Sequence, residues 1–414
     1  MSPQIATTLD VQCCIVGGGP AGVMAGLLVA RAGIEVAVLE KHGDFLRDFR
    51  GDTVHPSTLQ AIADLGLLDA FLTLPHTEVS QLSGEFGGTV VRLADFSHLP
   101  TAARFIALMP QWDFLNFLVG CARRFPQFRM LMQTRADDLI ETDGRVTGVR
   151  ATTPDGPLEV RARLVIAADG RSSRMRDQSG LPVTNLGAPM DVLWMRLSRR
   201  PDDAAELPLG RVSDGRMFIM IPREGYFQCG YVAAKGRFAA IQAAGIEAFR
   251  RDVALAGPAI ADRVDELESF DDVHLLTVTV DRLERWSRPG LLCIGDAAHA
   301  MSPVGGVGIN LAVQDAIAAA NLLHAAFAGS DAELDARLDS VRARRLPAVK
   351  AMQALQVLVQ KRVIGAALNG KPLKAPAALG LFNLAPILRR IPARVIGMGF
   401  RMERVRSPDV HGAG

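Results

Sequence analysis

The stretch Val11-Gln12-Cys13-Cys14-Ile15-Val16-Gly17-Gly18-Gly19-Pro20-Ala21-Gly22 decides how this chain folds. Residues 11–16 are an apolar run of strand length, three glycines follow, and residues 23–32 carry the small and aliphatic side chains of a buried helix. A second apolar strand, residues 36–39, ends at Glu40, 23 positions after Gly17. Strand, glycine loop, helix, strand and acid in this order are the βαβ unit that binds a dinucleotide. Gly17 allows the tight turn, Gly19 lets backbone approach a pyrophosphate, and Gly22 lets helix and strand pack closely. Pro20 and Ala21 open the helix, whose first N–H groups lack internal partners and attract phosphate. Glu40 can accept hydrogen bonds from a ribose, and Lys41 beside it joins the candidate cofactor set.

Two later segments extend the pattern. One is Asp169-Gly170-Arg171-Ser172-Ser173-Arg174-Met175-Arg176. The other is Gly295-Asp296-Ala297-Ala298-His299-Ala300-Met301-Ser302-Pro303-Val304-Gly305-Gly306-Val307-Gly308-Ile309-Asn310. A helix starting near Gly308 would aim its positive end at whatever sits before it. With the first loop, these motifs make roughly residues 10–340 resemble the flavoprotein aromatic hydroxylases, the FAD-dependent monooxygenase family that includes p-hydroxybenzoate hydroxylase and the ubiquinone-biosynthesis hydroxylases.

The resemblance implies a set of roles. Asp296 binds the ribityl or ribose hydroxyls of FAD, and Pro303 lies against the flavin ring beside the substrate. Gly305, Gly306, Gly308, Ile309 and Asn310 present backbone N–H groups to the pyrimidine end, and the Asp169 segment serves both flavin and nicotinamide. Arg50-Gly51 resembles the family's arginine-glycine segment near the flavin, and Gln111 the glutamine that touches the ribityl chain. His55 and His299 both have a side chain suited to acid–base work at neutral pH. His299 is expected to be structural, whereas His55 and Pro303 are the candidate catalytic residues.

By the same resemblance the activity is insertion of one oxygen atom from dioxygen into an apolar aromatic, quinone-like or polycyclic substrate through a flavin hydroperoxide, with NAD(P)H as reductant. Two alternatives stay open: a flavin-dependent reductase or dehydrogenase of a polyprenyl or polycyclic substrate, and a non-catalytic flavin-binding protein. Only one glycine loop of this type lies on a βαβ pattern, so NAD(P)H is expected to visit transiently. Tyr226 and Tyr231 are the only tyrosines able to relay a phenolic proton. Trp194, Met195, Met217, Phe218, Ile219, Met220 and Phe227 are candidates for an apolar substrate chamber, with half or more expected to be ordinary core.

Composition bounds the rest. A chain of 414 residues, 49% hydrophobic, can bury a large core. The first strand begins by residue 11, and no apolar stretch is expected to reach the roughly 18 uncharged residues of a spanning helix, so a cytoplasmic location is expected. Cys13, Cys14, Cys121, Cys229 and Cys293 show no metal-ligand spacing and no redox pair, and are expected to be reduced thiols. A net charge of +2 argues against nucleic-acid binding. Residues 351–406, however, hold ten Lys or Arg against the single acid Glu403 among many aliphatic side chains. That segment is expected either to cap the protein with a solvated basic face or to touch the inner face of a membrane peripherally.

The expected fold is α/β: a Rossmann-like FAD-binding domain (1–75, 105–180 and 281–345), an inserted β-sheet substrate domain (76–104 and 181–280) and a helical C-terminal segment (346–414). Alternation at 146–151 and 158–163 predicts a hairpin feeding a strand at 164–168. Strand-prone runs at 192–197, 216–221, 226–233 and 274–280, with a helix at 245–255, make up the insert. Helical periodicity from Leu311 onward is expected to break at Pro347, Pro372, Pro376, Pro386 and Pro392.

Overall fold

The predicted βαβ unit anchors a larger parallel sheet. The computed structural model describes residues 7–46, 53–203, 208–368 and 382–412. Its central elements are β1 (Thr7–Val16), α1 (Pro20–Arg31), β2 (Val36–Leu39), β3 (Phe128–Leu131), β4 (Gly156–Ala167), β5 (Leu291–Cys293), α2 (Gly308–Leu323) and α3 (Asp331–Val359). The strands lie in the order β5-β4-β1-β2-β3, all parallel. Register aligns their carboxyl ends, since Val16 pairs with both Ala167 and Leu39, and Ala167 pairs with Cys293. The loops that follow, beginning at Gly17, Glu40, Asp169 and Gly295, therefore leave one edge side by side. That edge is where open α/β sheets bind ligands.

Helix α1 starts at Pro20, three residues before the expected start, because proline at the first helical position loses no internal hydrogen bond. The hairpin and the strand expected after it merge. Strand β4 pairs antiparallel with Arg145–Thr153 along its first half and parallel with β1 along its length. One expectation is corrected outright. Residues Val304–Ala328 are long and apolar enough to cross a membrane, yet 67% of their most apolar 18-residue window is buried inside the protein, as a core helix requires.

The second sheet has seven strands in the order His274–Leu276, Met190–Ser198, Tyr226–Ala234, Arg216–Pro222, Gly210–Ser213, Gln81–Phe86, Thr89–Asp95. The early excursion joins it through parallel pairing of Gln81–Phe86 with Gly210–Ser213. Alternation divides the candidate chamber residues between two faces. Met195, Phe218, Met220 and Phe227 pack with Phe249 and Val253 of helix Ile246–Ala256 as core. Trp194, Met217 and Ile219 face the other way, toward Val304 and Ile364. Tyr231 lies on the helix side, 5.6 Å from Phe249, away from the face that carries Trp194.

Pro347 does not break α3, which runs through it. The missing N–H costs one helical bond, and a continuous buried stripe of Val341, Arg345, Ala348, Val349 and Met352 holds both halves in place. Pro386 opens a short helical turn and Pro392 sits in the first turn of Arg390–Met398, where proline is tolerated; Pro372 and Pro376 lie outside the described residues. Beyond it the chain returns over the parallel-sheet domain: the Glu403 N–H donates to Gln314, Arg404 pairs with Asp64, and the Val410 N–H donates to the Arg31 carbonyl.

Candidate functional site

The first loop is shaped by close backbone contacts. Gly17 has φ +107°, and a Cβ there would lie 2.4 Å from the Ala168 carbonyl oxygen; one at Gly22 would lie 1.9 Å from the Gly17 oxygen. A Cβ at Gly19, by contrast, meets nothing within 4 Å, and no side chain among the described residues caps the helix there. The N-terminus of α1 thus opens on free space. Glu40 is 2% exposed, and its carboxylate accepts from the Gly18 N–H at 2.9 Å and the His42 N–H at 3.0 Å. Beyond its expected ribose role it fixes the loop. Lys41 is exposed, and Gln111 is the half-buried first residue of helix Gln111–Ala122.

The two later motifs close around this loop. Gly295, with φ +59°, brings its chain so near α1 that an added Cβ would sit 3.0 Å from the Ala21 Cβ. Arg171 Nη2 donates to Asp296 Oδ2 at 3.2 Å, tying the second motif to the third. Asp169 accepts from Ser173 Oγ and from the Met175 N–H; burial raises its pKa, and these hydrogen bonds limit the rise. Arg176 is buried against Asp281 at 3.4 Å, so its charge is spent on the fold.

At the ring end, Gly305 and Gly306 have φ of +80° and +63°, which admits few other residues. Thr53 Oγ1 donates to the Gly306 oxygen at 3.0 Å. The Asn310 side-chain oxygen accepts from the His55 N–H at 3.1 Å and from Thr58 Oγ1 at 2.7 Å. Segments 53–58 and 303–310 therefore form one unit. Gly308 begins α2, and a Cβ on it also meets nothing within 4 Å, while Ile309 and Asn310 complete the first turn with their side chains buried. Arg50 lies outside the described residues.

His55 is fully buried. Its Nδ1 lies 2.9 Å from the Ile396 carbonyl and so carries the proton, leaving Nε2 as an acceptor with no partner among the described residues, on the side of Gly306. Burial lowers its pKa to about 4 against that hydrogen bond, so the ring is neutral near pH 7. His299 is enclosed: its Nε2 lies 2.6 Å from Asp315, its ring centre 5.0 Å from Trp286. Asp315 also accepts from the Gly295 N–H and from Arg345 Nε. Burial raises the Asp315 pKa, but His299 and Arg345 outweigh it and the net shift is downward.

These features fit FAD. The N-termini of α1 and α2, without side-chain caps among the described residues, open on space; Gly295, beside Asp296, packs against Ala21 of α1 and Ala312 of α2, and Glu40 holds the first loop from the β2 side. A helix N-terminus stabilises phosphate or an anionic ring through its unpaired N–H groups. Sequence reading missed Gly18, whose Cβ would press on Glu40 and Met130, and it missed the partner of Arg171, 125 positions away.

Comparison with known proteins agrees with this geometry. Residues 10–356 match the family described as FAD binding domain. Over 396 residues the chain is 32% identical to 6-methylpretetramide 4-monooxygenase of Streptomyces rimosus, covering 95% of this chain and 94% of that one. PqsL, a probable FAD-dependent monooxygenase from Pseudomonas aeruginosa, matches in structure with a TM-score of 0.70 at 22% identity, over 87% of this chain and 99% of that one. The Diels-Alderase PyrE3 of pyrroindomycin biosynthesis has a TM-score of 0.72 at 20% identity, over 93% and 80%. The chain belongs to the FAD-dependent aromatic hydroxylase family. It is an FAD-dependent oxidoreductase of the monooxygenase type, and NAD(P)H is the family's typical reductant.

Proposed function

We propose that this monooxygenase hydroxylates an apolar polycyclic aromatic substrate held between Pro303 and the inward face of the seven-stranded sheet. The observation that carries this reading is the apolar face itself: Trp194, Met217 and Ile219 point toward Val304, the residue next to Pro303. Trp194 lies flat across its strand partner Gly230, where a Cβ would be 3.0 Å from the indole. The result is an apolar wall whose chemistry suits fused rings. The likeness to 6-methylpretetramide 4-monooxygenase supports the same substrate class.

FAD, when bound, supplies reduction by NAD(P)H and activation of dioxygen. The chain supplies position and charge. First-turn N–H groups at Gly19, Pro20, Ala21 and Gly22, proline excepted, hold the pyrophosphate, while Glu40 and Asp296 accept from the sugar and ribityl hydroxyls. Asp169 orders the loop carrying Arg171, Gln111 approaches the ribityl chain, and Lys41 and Arg50 supply positive charge. Gly305 to Asn310 turn the α2 N-terminus toward the pyrimidine, stabilising negative charge there. Neutral His55 closes the wall behind Gly306, with an acceptor rather than a cation in place. Water is excluded by the apolar sheet face.

The protein acts in the cytoplasm on this reading. Its C-terminal segment presents exposed Leu384, Ile387 and Ile391 beside exposed Arg390 and Arg394, a surface that can rest on an anionic membrane. The competing reading of that segment is a cap. The function is tested by NAD(P)H oxidation across a panel of aromatic, quinone and polyketide compounds. Polycyclic aromatic members should accelerate oxidation by the FAD-loaded protein, and acceleration by none of them would contradict the proposal.

A further inference from the structure

Helix α3 carries Gln353 and Gln356, and the π-helical turn that continues it, Gln360–Ile364, opens with Gln360. Their spacing places all three on one helix face. They are 0%, 2% and 1% exposed. A buried amide must find partners, and every partner but one found by the amide nitrogens lies on the segment around Pro303. Gln353 Nε2 donates to the Ala300 oxygen at 3.2 Å, and to the Asp281 oxygen at 2.7 Å. Gln356 accepts from the Ser302 N–H at 3.2 Å and donates to the carbonyls of Ser302 and Val304, each at 2.9 Å. Gln360 donates to Ser302 Oγ at 2.7 Å.

Residues 300–304 belong to no sheet, and the loop enters two left-handed glycines directly afterward. Gln356 satisfies the Ser302 N–H and the Ser302 and Val304 carbonyls, while Ala300 pairs with Asp281, the Pro303 oxygen accepts from the Gly306 N–H, and the Val304 N–H donates to Ser302 Oγ. Gln356 grips the chain on both sides of Pro303. The turn that follows sends Ile364 onto the same sheet face as Trp194. Single π-helical turns cost hydrogen-bond geometry and recur at functional sites.

We propose that Gln356, braced by Gln353 and Gln360, is a positioning residue that fixes the Ser302–Val304 loop between flavin and substrate, so that reducing equivalents go into product. This rests on the placement of Pro303 in the proposed function. A shift of this loop by about 1 Å would misalign the reacting groups and admit water, with large rate consequences. Gln356→Leu removes all three bonds; Gln356→Glu keeps an acceptor for the Ser302 N–H but offers no donor to the two carbonyls.

The test compares parent, Gln356→Leu, Gln356→Glu and the milder Gln360→Leu as FAD-loaded proteins. Three quantities are read: the visible absorption bands of the oxidised flavin, amide hydrogen exchange over residues 301–307, and the share of NAD(P)H oxidised that appears as hydrogen peroxide. The Gln356 variants should shift the flavin bands, speed exchange and raise the peroxide share several-fold, while KM for NAD(P)H stays put. Gln360→Leu should move all three in the same direction by less, and stands in if Gln356→Leu does not fold. Folded variants with parental flavin bands and parental coupling would overturn the proposal. If the parent turns over no compound in the panel, the oxygenase reading fails by itself, and the flavin bands and exchange still decide the role of the glutamines.

Discussion

The edge of the parallel sheet and the buried face of helix α3 both hold loops of one site, by opposite means. At the edge the backbone makes the contacts, so residues must shrink: Gly17, Gly22 and Gly295 each sit where a Cβ would collide or press on a neighbour. On α3 the backbone is already occupied by the helix, so side chains reach out, and buried amides do the holding. Close backbone approach leaves a motif in sequence. Amide anchoring leaves only a helix interrupted by glutamines.

The difference can be broken at its strongest point. Gly22→Ala forces a methyl group to 1.9 Å from the Gly17 oxygen, and should destabilise by about 3 kcal/mol or more and abolish retention of FAD. Gly19→Ala meets no protein atom and has ordinary φ, so it should melt like the parent yet bind FAD much more weakly, its methyl standing where phosphate belongs. Thermal melts and flavin titration separate the two. If Gly19→Ala binds FAD normally, the cofactor does not approach there.

What was legible follows from the same contrast. Glycine spacing and strand periodicity revealed the βαβ unit, because those patterns are imposed locally, while the Asp169 and Gly295 segments were identified through the family resemblance. Strand-prone runs at 192–197 and 216–221 likewise marked strands, but they could not say which face a helix would cover, so Phe218 and Trp194 stood together in sequence reading and lie on opposite faces in the fold. Pro347 read as a break because local propensity was counted without the packing of Val341 and Val349 around it. Gln353, Gln356 and Gln360 continue the helical stripe of Leu334, Leu338 and Val341, a periodic signal whose polarity hid it among surface residues.

The next effect concerns acid. His55 has a folded pKa near 4, below its unfolded value, so between the two the unfolded chain binds a proton that the folded chain does not. Stability should fall as pH drops through the ordinary histidine range and level off below about 4, a loss on the order of 3 kcal/mol. His55→Asn should flatten that part of the curve measured by denaturant titration. An unchanged slope would place His55 in water rather than in the wall.

A smaller change tests the rim carboxylate. Asp296→Ala should weaken FAD binding by about 1.5–3 kcal/mol through loss of charge-assisted hydrogen bonds. Arg171 loses its partner at the same time, so Arg171→Ala alone measures how much of the loss is theirs. Flavin titration giving parental affinity for Asp296→Ala would remove this residue from the site.

Least is expected at the surface. If the segment with Leu384, Ile387 and Ile391 rests on lipid, the protein should float with anionic liposomes at low salt, and Arg390→Glu with Arg394→Glu should cost about 1 kcal/mol per charge. Absence of salt-sensitive flotation leaves the segment as a cap alone.

The central claim, that the rim and the apolar sheet face together make an oxygenase, is tested most directly by mass spectrometry of product formed under isotopically heavy dioxygen. One heavy oxygen atom should enter the product per turnover, in step with NAD(P)H consumed. Product carrying no heavy oxygen, or formed equally well without dioxygen, would contradict the account.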